Sequence, residues 1–156
     1  MHPAFSVIFL TTLIGVGQGL FLALYAAELG SAFGLLAVPH AQRFLAAGSA
    51  LSLAFLAAGF LASFFHLGHP ERAWRSAAMW RTSWLSREVI VLPAFMAAVS
   101  AYGGAHYLGF GATLTLGAIG ALLCFALFIC TGMIYACLKF LQEWATPLTV
   151  INFILL

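Results

Sequence analysis

The chain has 156 residues, of which 64% are hydrophobic and 6% are charged, and its formal net charge is +2. Soluble domains carry about 25% charged residues, so this composition, with a mean hydropathy of +1.09, excludes a water-soluble domain. The small net charge and the lack of a basic run argue against nucleic-acid binding. The composition therefore predicts an integral membrane protein.

Apolar runs of span length predict an all-α fold, a polytopic transmembrane helix bundle with four full spans and the start of a fifth. A bilayer core of about 30 Å needs roughly 20 helical residues. The first run lacks the basic flank of a cleaved signal peptide, so we expect it to be retained. The last run is too short to span, which favours a longer native chain over an interfacial segment. The spans are placed at residues 4–27, 44–65, 86–102 and 113–138, and the partial span at 147–156.

Small and polar residues inside these runs indicate how the helices pack. Gln18 is the one strongly polar side chain of the first span, and we expect it to face protein and hydrogen-bond between helices. Pairs of small residues four positions apart predict packing faces. These pairs are Gly15 with Gly19, Gly48 with Ser52, and Gly59 with Ser63.

The three cysteines lie in one apolar run without Cys-x-x-Cys spacing, so neither zinc nor an iron–sulfur cluster is indicated. We interpret Cys124, Cys130 and Cys137 as buried, inert thiols.

A charged connection, residues 66–88, separates the second span from the third. It holds six of the ten charged residues, two of the five histidines and three of the four tryptophans. Such a polar, aromatic segment is a candidate for chemistry or for partner binding, although interfacial Trp, Arg and His also serve as ordinary membrane anchors. Its notable members are His66, His69, Glu71, Arg72, Trp74, Arg75, Trp80, Arg81, Trp84, Arg87 and Glu88.

Basic residues are distributed unequally between the two sides of the predicted bundle. The side of the charged connection carries five of them, and the other side carries Arg43 alone. The positive-inside rule therefore places the connection and the N-terminus in the cytoplasm, unless a bound partner subunit overrides the bias. The five are Arg72, Arg75, Arg81, Arg87 and Lys139.

A quinone head group suits the chemistry of this connection, because it needs hydrogen-bond partners, a proton path and aromatic walls at the membrane interface. His66 ends the second span and titrates near neutral pH, and Glu88 can exchange a proton at the start of the third span, where Ser86 is the expected N-cap. Arg72 can orient either group, and Trp80 and Trp84 offer ring faces.

Three other roles are considered as alternatives: haem binding, transport and a purely structural role. Haem is disfavoured because no histidine lies mid-span, and His40 and His106 are placed in connections. A transporter is disfavoured because no span carries a charge near its centre. A structural bundle without a redox role stays open.

Two motifs of the charged connection resemble those of the dimethyl sulfoxide reductase anchor subunit family. Residues 66–73 read HLGHPERA, similar to the family's His-Leu-Gly-x-Pro-x-Arg-Ala motif, and residues 83–88 read SWLSRE, similar to its Leu-Ser-x-Glu sequence at the start of the third helix. The opening HPAFSVIF at 2–9 and the CTGMIY patch at 130–135 are similar too. The resemblance covers the whole chain, 1–156.

The resemblance implies an eight-helix membrane anchor in the bacterial inner membrane, of which this chain looks like the first half. Such anchors carry no haem, hold an iron–sulfur subunit and a molybdopterin catalytic subunit, and exchange electrons with menaquinone or ubiquinone. By carry-over, the family's quinol-site histidine falls on His66, the motif arginine on Arg72 and the helix-entry acid on Glu88, and we expect these residues to bind quinone. Trp84 is added to this site from the residue chemistry alone, as a ring face. Arg75, Arg81 and Arg87 are the residues expected to dock the partner.

The predicted cytoplasmic orientation refines this resemblance. In the dimethyl sulfoxide reductases this loop faces the periplasm, so the charge bias resembles the sulfite-oxidising relatives of the family, which pass electrons into quinone. A menaquinol-oxidising anchor of the dimethyl sulfoxide reductase type is the alternative within the family. The chain itself is expected to be non-catalytic for the soluble substrate.

Overall fold

The computed structural model describes residues 5–37, 41–64, 75–137 and 146–155, and these residues form helices and turns without any strand. The first four helices are long and apolar enough to cross a membrane, and the fifth has only nine residues. The predicted all-α bundle with four spans and a short fifth helix is confirmed. The helices are α1 (Phe5–Ala32), α2 (Ala41–Phe64), α3 (Trp84–Leu108), α4 (Thr113–Ala136) and α5 (Pro147–Leu155).

Two helices run further than the predicted spans. Helix α1 continues five residues past residue 27, and α3 continues six residues past residue 102. Both end at glycines with positive φ, Gly34 at 72° and Gly109 at 75°, a backbone conformation that L side chains disfavour. The amide of Leu35 donates to Gly30 O over 2.8 Å, and the amide beyond Gly109 donates to Ala105 O over 2.9 Å. The extra turns bring Glu28 and His106 into helices.

The start of α3 also differs from its prediction. The helix begins at Trp84, and the amide of Ser86 donates to Ser83 Oγ over 3.4 Å. This is the N-cap to N3 contact, so Ser83 is the N-cap and the assignment of Ser86 to that position was wrong. Ser86 itself is buried in the first turn.

The chain divides into two compact units. The first comprises Met1–Pro70 and Met96–Ala121, and the second comprises Glu71–Phe95 and Leu122–Leu156. Helices α3 and α4 are therefore each divided between the two units. In α3 the division lies close to Pro93, which cannot donate a helical hydrogen bond.

In the first unit, α1 and α2 pack through small residues. Ser52 Oγ donates a 2.8 Å hydrogen bond to Gly17 O, and a Cβ added at Gly17 would lie 2.7 Å from Leu56 Cγ. Gly48 meets Leu24 and Gly59 meets Ile14 at similarly close range. The faces predicted at residues 48 and 52 and at 59 are confirmed.

The Gly15 and Gly19 pair was the wrong choice of packing face on α1. A Cβ at either position would meet nothing within 4 Å. Gly17 takes the contact instead, because it lies on the side of α1 that faces Ser52. Gln18 is buried, as predicted, but its Nε2 has no hydrogen-bond partner in the part of the chain that the structure describes.

In the second unit, α4 packs against α5. Gly132 would place a Cβ 3.0 Å from Val150 Cα, and the Tyr135 and Phe153 rings stack with centroids 5.2 Å apart. The prediction of buried cysteines holds for Cys124 and Cys130. It is wrong for Cys137, which is exposed at the turn after α4.

Candidate functional site

The structure describes five of the seven predicted site residues. His66 and Arg72 lie outside the described residues, so the contacts of the HLGHPERA motif stay a prediction. The described part of the charged connection runs from residue 75 into α3. It belongs entirely to the second unit.

Residues 75–83 form a short 3₁₀ turn and further turns before α3 begins. The amide of Ala78 donates to Arg75 O over 3.1 Å, and the amide of Ser83 donates to Met79 O over 2.9 Å. These local bonds satisfy backbone groups near a membrane surface, where leaving them unpaired is costly. The segment therefore presents its side chains from an ordered backbone.

Arg87 ties this turn segment to α3. Its Nε donates to Trp80 O over 3.0 Å, and its Nη2 donates to Arg81 O over 2.9 Å. Its Cζ lies 4.1 Å from the centroid of the Trp84 ring. A planar guanidinium can donate in two directions and stack at the same time. Arg87 was predicted to dock a partner, and its contacts give it an additional role inside this unit.

The Trp84 ring is half-buried, with one face covered by Arg87. A ligand ring could therefore stack only on its other face. Trp80 is exposed, and the Arg81 Cζ lies 5.3 Å from its ring centroid. The two tryptophans thus differ, since one is fixed against α3 and the other stands at the surface.

Glu88 lies in the second turn of α3 and is half-buried. Its Oε1 accepts a 2.7 Å hydrogen bond from Thr131 Oγ1 of α4, and charge-assisted bonds of this length are strong. The SWLSRE and CTGMIY segments, singled out separately in the sequence, therefore meet at this carboxylate. The structure places an orienting hydroxyl next to the predicted proton-exchanging group.

An exposed surface lies on the turn segment and the first turn of α3. Arg75 and Arg81 are exposed, and three large apolar side chains are exposed with them. Apolar anchors with arginine are typical of protein interfaces. We call this set the turn surface: Arg75, Met79, Trp80, Arg81 and Leu85.

A second polar cluster, in the first unit, was missed by the sequence analysis. His106 Nε2 of α3 lies 3.3 Å from Glu28 Oε1 of α1, and both side chains are buried. His106 had been placed in a connection, which was wrong because α3 extends to Leu108. Two sequence features could have indicated this cluster. Glu28 directly follows the first apolar run, and His106 lies four residues, about one helical turn, after Tyr102. Within the described residues no group of three or more His, Cys, Asp or Glu could hold a metal ion.

Comparison with known proteins gives a consistent result over the whole chain. The family model described as DMSO reductase anchor subunit (DmsC) matches residues 1–156. The chain is 57% identical over 169 aligned positions to a sulfite dehydrogenase subunit of Allochromatium vinosum, and the alignment covers 100% of this chain and 52% of that protein. The chain thus spans about half the length of this curated relative. No solved structure matches the chain.

Proposed function

From the premise that this chain belongs to the DMSO reductase anchor subunit (DmsC) family, we propose that it anchors a sulfite-oxidising complex and binds the quinone to which that complex passes its electrons. Family membership and four apolar helices make it a multi-pass membrane protein and an anchor of an oxidoreductase. The quinone, the inner membrane and the direction of electron flow belong to the proposal.

The observation that carries the quinone site is the Glu88 carboxylate, half-buried in a membrane-length helix and oriented by Thr131. An ionisable group at such depth is expensive to keep and is a functional candidate by default. Reduction of a quinone to a quinol takes two electrons and two protons. Glu88 is the group that supplies or receives a proton, and Trp84 precedes it by about one turn of α3.

His66 and Arg72 complete the proposed site by family resemblance. His66 is assigned to hydrogen-bond a quinone carbonyl oxygen, and Arg72 to orient the head group or the connection. These roles rest on the HLGHPERA motif. The isoprenoid tail of menaquinone or ubiquinone stays in the lipid. The other redox groups, a molybdopterin and iron–sulfur clusters, belong to partner subunits.

Partner docking is assigned to the turn surface, with Arg87 holding its backbone in place. Electron transfer to a bound quinone needs a donor within tunnelling reach, so an iron–sulfur subunit is the expected partner at this end of α3. Exposed Arg75 and Arg81 suit an acidic patch on that subunit. Trp80, Met79 and Leu85 supply the apolar contact.

A second candidate is a menaquinol-oxidising anchor, which the family's own description favours. It differs from the first in the direction of electron flow and in the catalytic subunit. The 57% identity to a sulfite dehydrogenase subunit favours sulfite oxidation. Membership in an anchor family also favours either redox role over a transporter or a purely structural bundle.

The proposed function is tested with Glu88→Gln in the full-length chain, purified with its partner subunits. Glutamine keeps the size and still accepts a bond from Thr131, but it cannot transfer a proton. Because positioned acid–base groups contribute about 10²–10⁴-fold, sulfite-dependent reduction of a soluble quinone analogue should fall at least about a hundredfold. Sulfite oxidation with an artificial soluble acceptor bypasses the anchor and should not change.

A matched aspartate variant separates chemistry from packing. Glu88→Asp keeps a carboxyl group and should retain part of the quinone reduction that Glu88→Gln loses. Wild-type quinone reduction in Glu88→Gln would remove Glu88 from proton transfer. Sulfite-dependent quinone reduction absent from the wild-type complex, with quinol-dependent activity in its place, would select the second candidate.

A further inference from the structure

The Glu28 and His106 pair has no part in the proposed quinone site. Their side chains are only 10% and 7% exposed, and Nε2 and Oε1 lie 3.3 Å apart. Both residues lie inside segments long and apolar enough to span a membrane. A lone charge at such a position is costly, so intramembrane ionisable groups pair with one another and mark ion or proton pathways.

The pair leaves hydrogen-bonding capacity unused. Among the described residues, Glu28 Oε2 and His106 Nε2 are buried without a hydrogen-bond partner, since the 3.3 Å approach does not have hydrogen-bond geometry. Buried polar atoms in proteins are almost always satisfied, and an exception calls for water, an ion or a ligand. Two unsatisfied atoms on adjacent groups therefore point to something bound between them and their surroundings.

A cavity of about 350 Å³ adjoins the pair. Glu28 and His106 both line it, and further polar groups come from Ser31, Gln42 and Thr113. Since one water occupies about 30 Å³ and needs two to four polar partners, the cavity has room for on the order of ten waters. It lies where α1 and α3 end and α2 and α4 begin, so it has the position of an inlet from the aqueous phase.

The Tyr102 ring packs next to the Glu28 and His106 pair, the Phe21 ring packs on Tyr102, and neither ring lines the cavity. The Tyr102 ring meets the His106 ring edge-on at 4.6 Å, and Phe21 meets Tyr102 at 5.4 Å. Tyr102 is fully buried, and its hydroxyl is close to the Glu28 carboxylate without hydrogen-bond geometry. These contacts hold the imidazole in place, so that its unpaired nitrogen stays beside the carboxylate and the cavity.

We propose that Glu28 and His106 form a proton-binding site, which takes one proton from water in this cavity and returns it there. With a carboxylate and a neutral imidazole the pair carries one negative charge. Uptake of one proton brings the pair to zero net charge, with the proton on Nε2 or on the carboxyl group. No electron moves in this step, and quinone binding is not required for it.

The surroundings contain few other titratable groups. Tyr102 on α3 contacts the His106 ring, and Tyr25 on α1 contacts the Tyr102 ring and donates from its hydroxyl to Leu114 O over 3.3 Å. Among the described residues, α2 and α4 add no ionisable side chain to the cavity lining, and Arg43 lines a different groove. A pH response of this cluster is therefore assigned to the pair.

The site also has a defined side of the membrane. Because α3 crosses the membrane, the end that holds His106 lies on the side opposite to the charged connection. With the orientation proposed from the positive-inside rule, the cavity opens towards the periplasm.

Water access is tested by cysteine modification of the full-length chain in assembled membrane complexes. Ala105 is buried and lines the cavity, whereas Ala101, one turn away on α3, is at the surface of the span. A small, membrane-impermeant methanethiosulfonate should modify Ala105→Cys and leave Ala101→Cys unmodified, as read by peptide mass spectrometry. Exposure alone would predict the opposite result, with Ala101→Cys more reactive than Ala105→Cys. An unreactive Ala105→Cys in a folded complex would overturn the proposal.

Proton binding is tested by infrared difference spectroscopy of the same complexes between two pH values. The wild type should show a protonated carboxyl or imidazolium band that Glu28→Gln and His106→Gln both abolish. Tyr107→Phe, an exposed neighbour of His106, should retain it. Identical pH-difference spectra in all four proteins would refute the site and leave a fixed structural ion pair. If the Gln variants do not assemble, the Ala105→Cys result decides alone.

Discussion

Thr131 donates a 2.7 Å hydrogen bond to Glu88, across 43 residues of sequence and from α4 to α3. The Thr131 hydroxyl gives the Glu88 carboxylate a fixed hydrogen-bond partner from a helix that is otherwise largely apolar. A proton-exchanging group works best when its position is held by a neighbouring group. Thr131 is therefore a positioning residue for the proposed quinone site.

We expect Thr131→Val to weaken this site without removing the carboxyl group. Valine has nearly the same shape but no donor, and a hydrogen bond to a charged group is worth about 1.5–3 kcal/mol. Affinity for a quinoline N-oxide quinol analogue, measured by fluorescence quenching, should fall about tenfold. Thr131→Ser should restore it, and Thr11→Val, whose hydroxyl donates within α1, should leave it unchanged. Equal affinity in Thr131→Val and wild type would argue against positioning.

We expect His66→Ala to reduce quinone affinity more than His69→Ala. A buried ligand oxygen that loses its donor costs about 1–3 kcal/mol, so affinity should fall by roughly one to two decades. Insertion should be intact, because one interfacial side chain contributes little to span energetics. Fluorescence quenching by the same analogue measures both variants. Undiminished binding in His66→Ala would leave Glu88 as the lead residue.

We expect Arg87→Lys to loosen the turn segment almost as much as Arg87→Ala. Lysine keeps the charge but cannot reproduce the two backbone bonds and the stack on Trp84. Hydrogen exchange of the amides at 78–83 should become faster in both variants. Arg75→Lys is the matched control, and faster exchange there as well would show that the effect is not specific to Arg87.

We expect Arg75→Ala and Arg81→Ala together to weaken partner binding in a salt-dependent way. Both side chains are exposed, and each exposed charge pair is worth at most about 1 kcal/mol. The loss should therefore be clear at low salt and small at high salt, as measured by retention of the iron–sulfur subunit during purification. Loss of the partner at all salt concentrations would point to a folding defect instead.

We expect a reporter fused after Arg75 to be cytoplasmic. The prediction rests on the five-to-one distribution of basic residues. Green fluorescent protein should be fluorescent there and alkaline phosphatase inactive, with the reverse for fusions at Gly111 between α3 and α4. Phosphatase activity after Arg75 would reverse both the orientation and the preference for sulfite oxidation.

We expect Gly17→Ala to destabilise the packing of α1 on α2, whereas Gly15→Ala should not. A methyl group at residue 17 would lie 2.7 Å from Leu56, and at residue 15 it would meet nothing. Overpacking costs about 1–3 kcal/mol, which should appear as a lower temperature of thermal aggregation in detergent. A larger loss in Gly15→Ala would indicate a contact with a partner or with further chain.

Much of the fold could be predicted because a membrane imposes simple rules on the sequence. Every backbone polar group in lipid must be satisfied within its own segment, so apolar runs of sufficient length become helices. That reasoning found all four spans, the starts of α4 and α5, and the packing role of Gly48, Ser52 and Gly59. The resemblance of residues 66–73 and 83–88 to family motifs pointed separately to the family that the whole-chain match shows.

The remaining features depended on contacts between distant residues. The span predicted from the first apolar run ends before Glu28, and the third predicted span ends before the glycine pair at 103 and 104. The structure continues both helices, since Glu28 meets His106 and Gly103 packs against Ser49.

The sequence by itself determined the class of protein, its spans and the family motifs, because hydrophobic length and local motifs are properties of one segment. Only the tertiary structure decided that Gly17 and not Gly15 faces α2, that Thr131 meets Glu88, and that Glu28 pairs with His106 beside a cavity. Mean hydropathy is the same whichever way a helix is rotated. Which side chain faces which partner is set by close packing and by the cost of leaving a buried polar group alone.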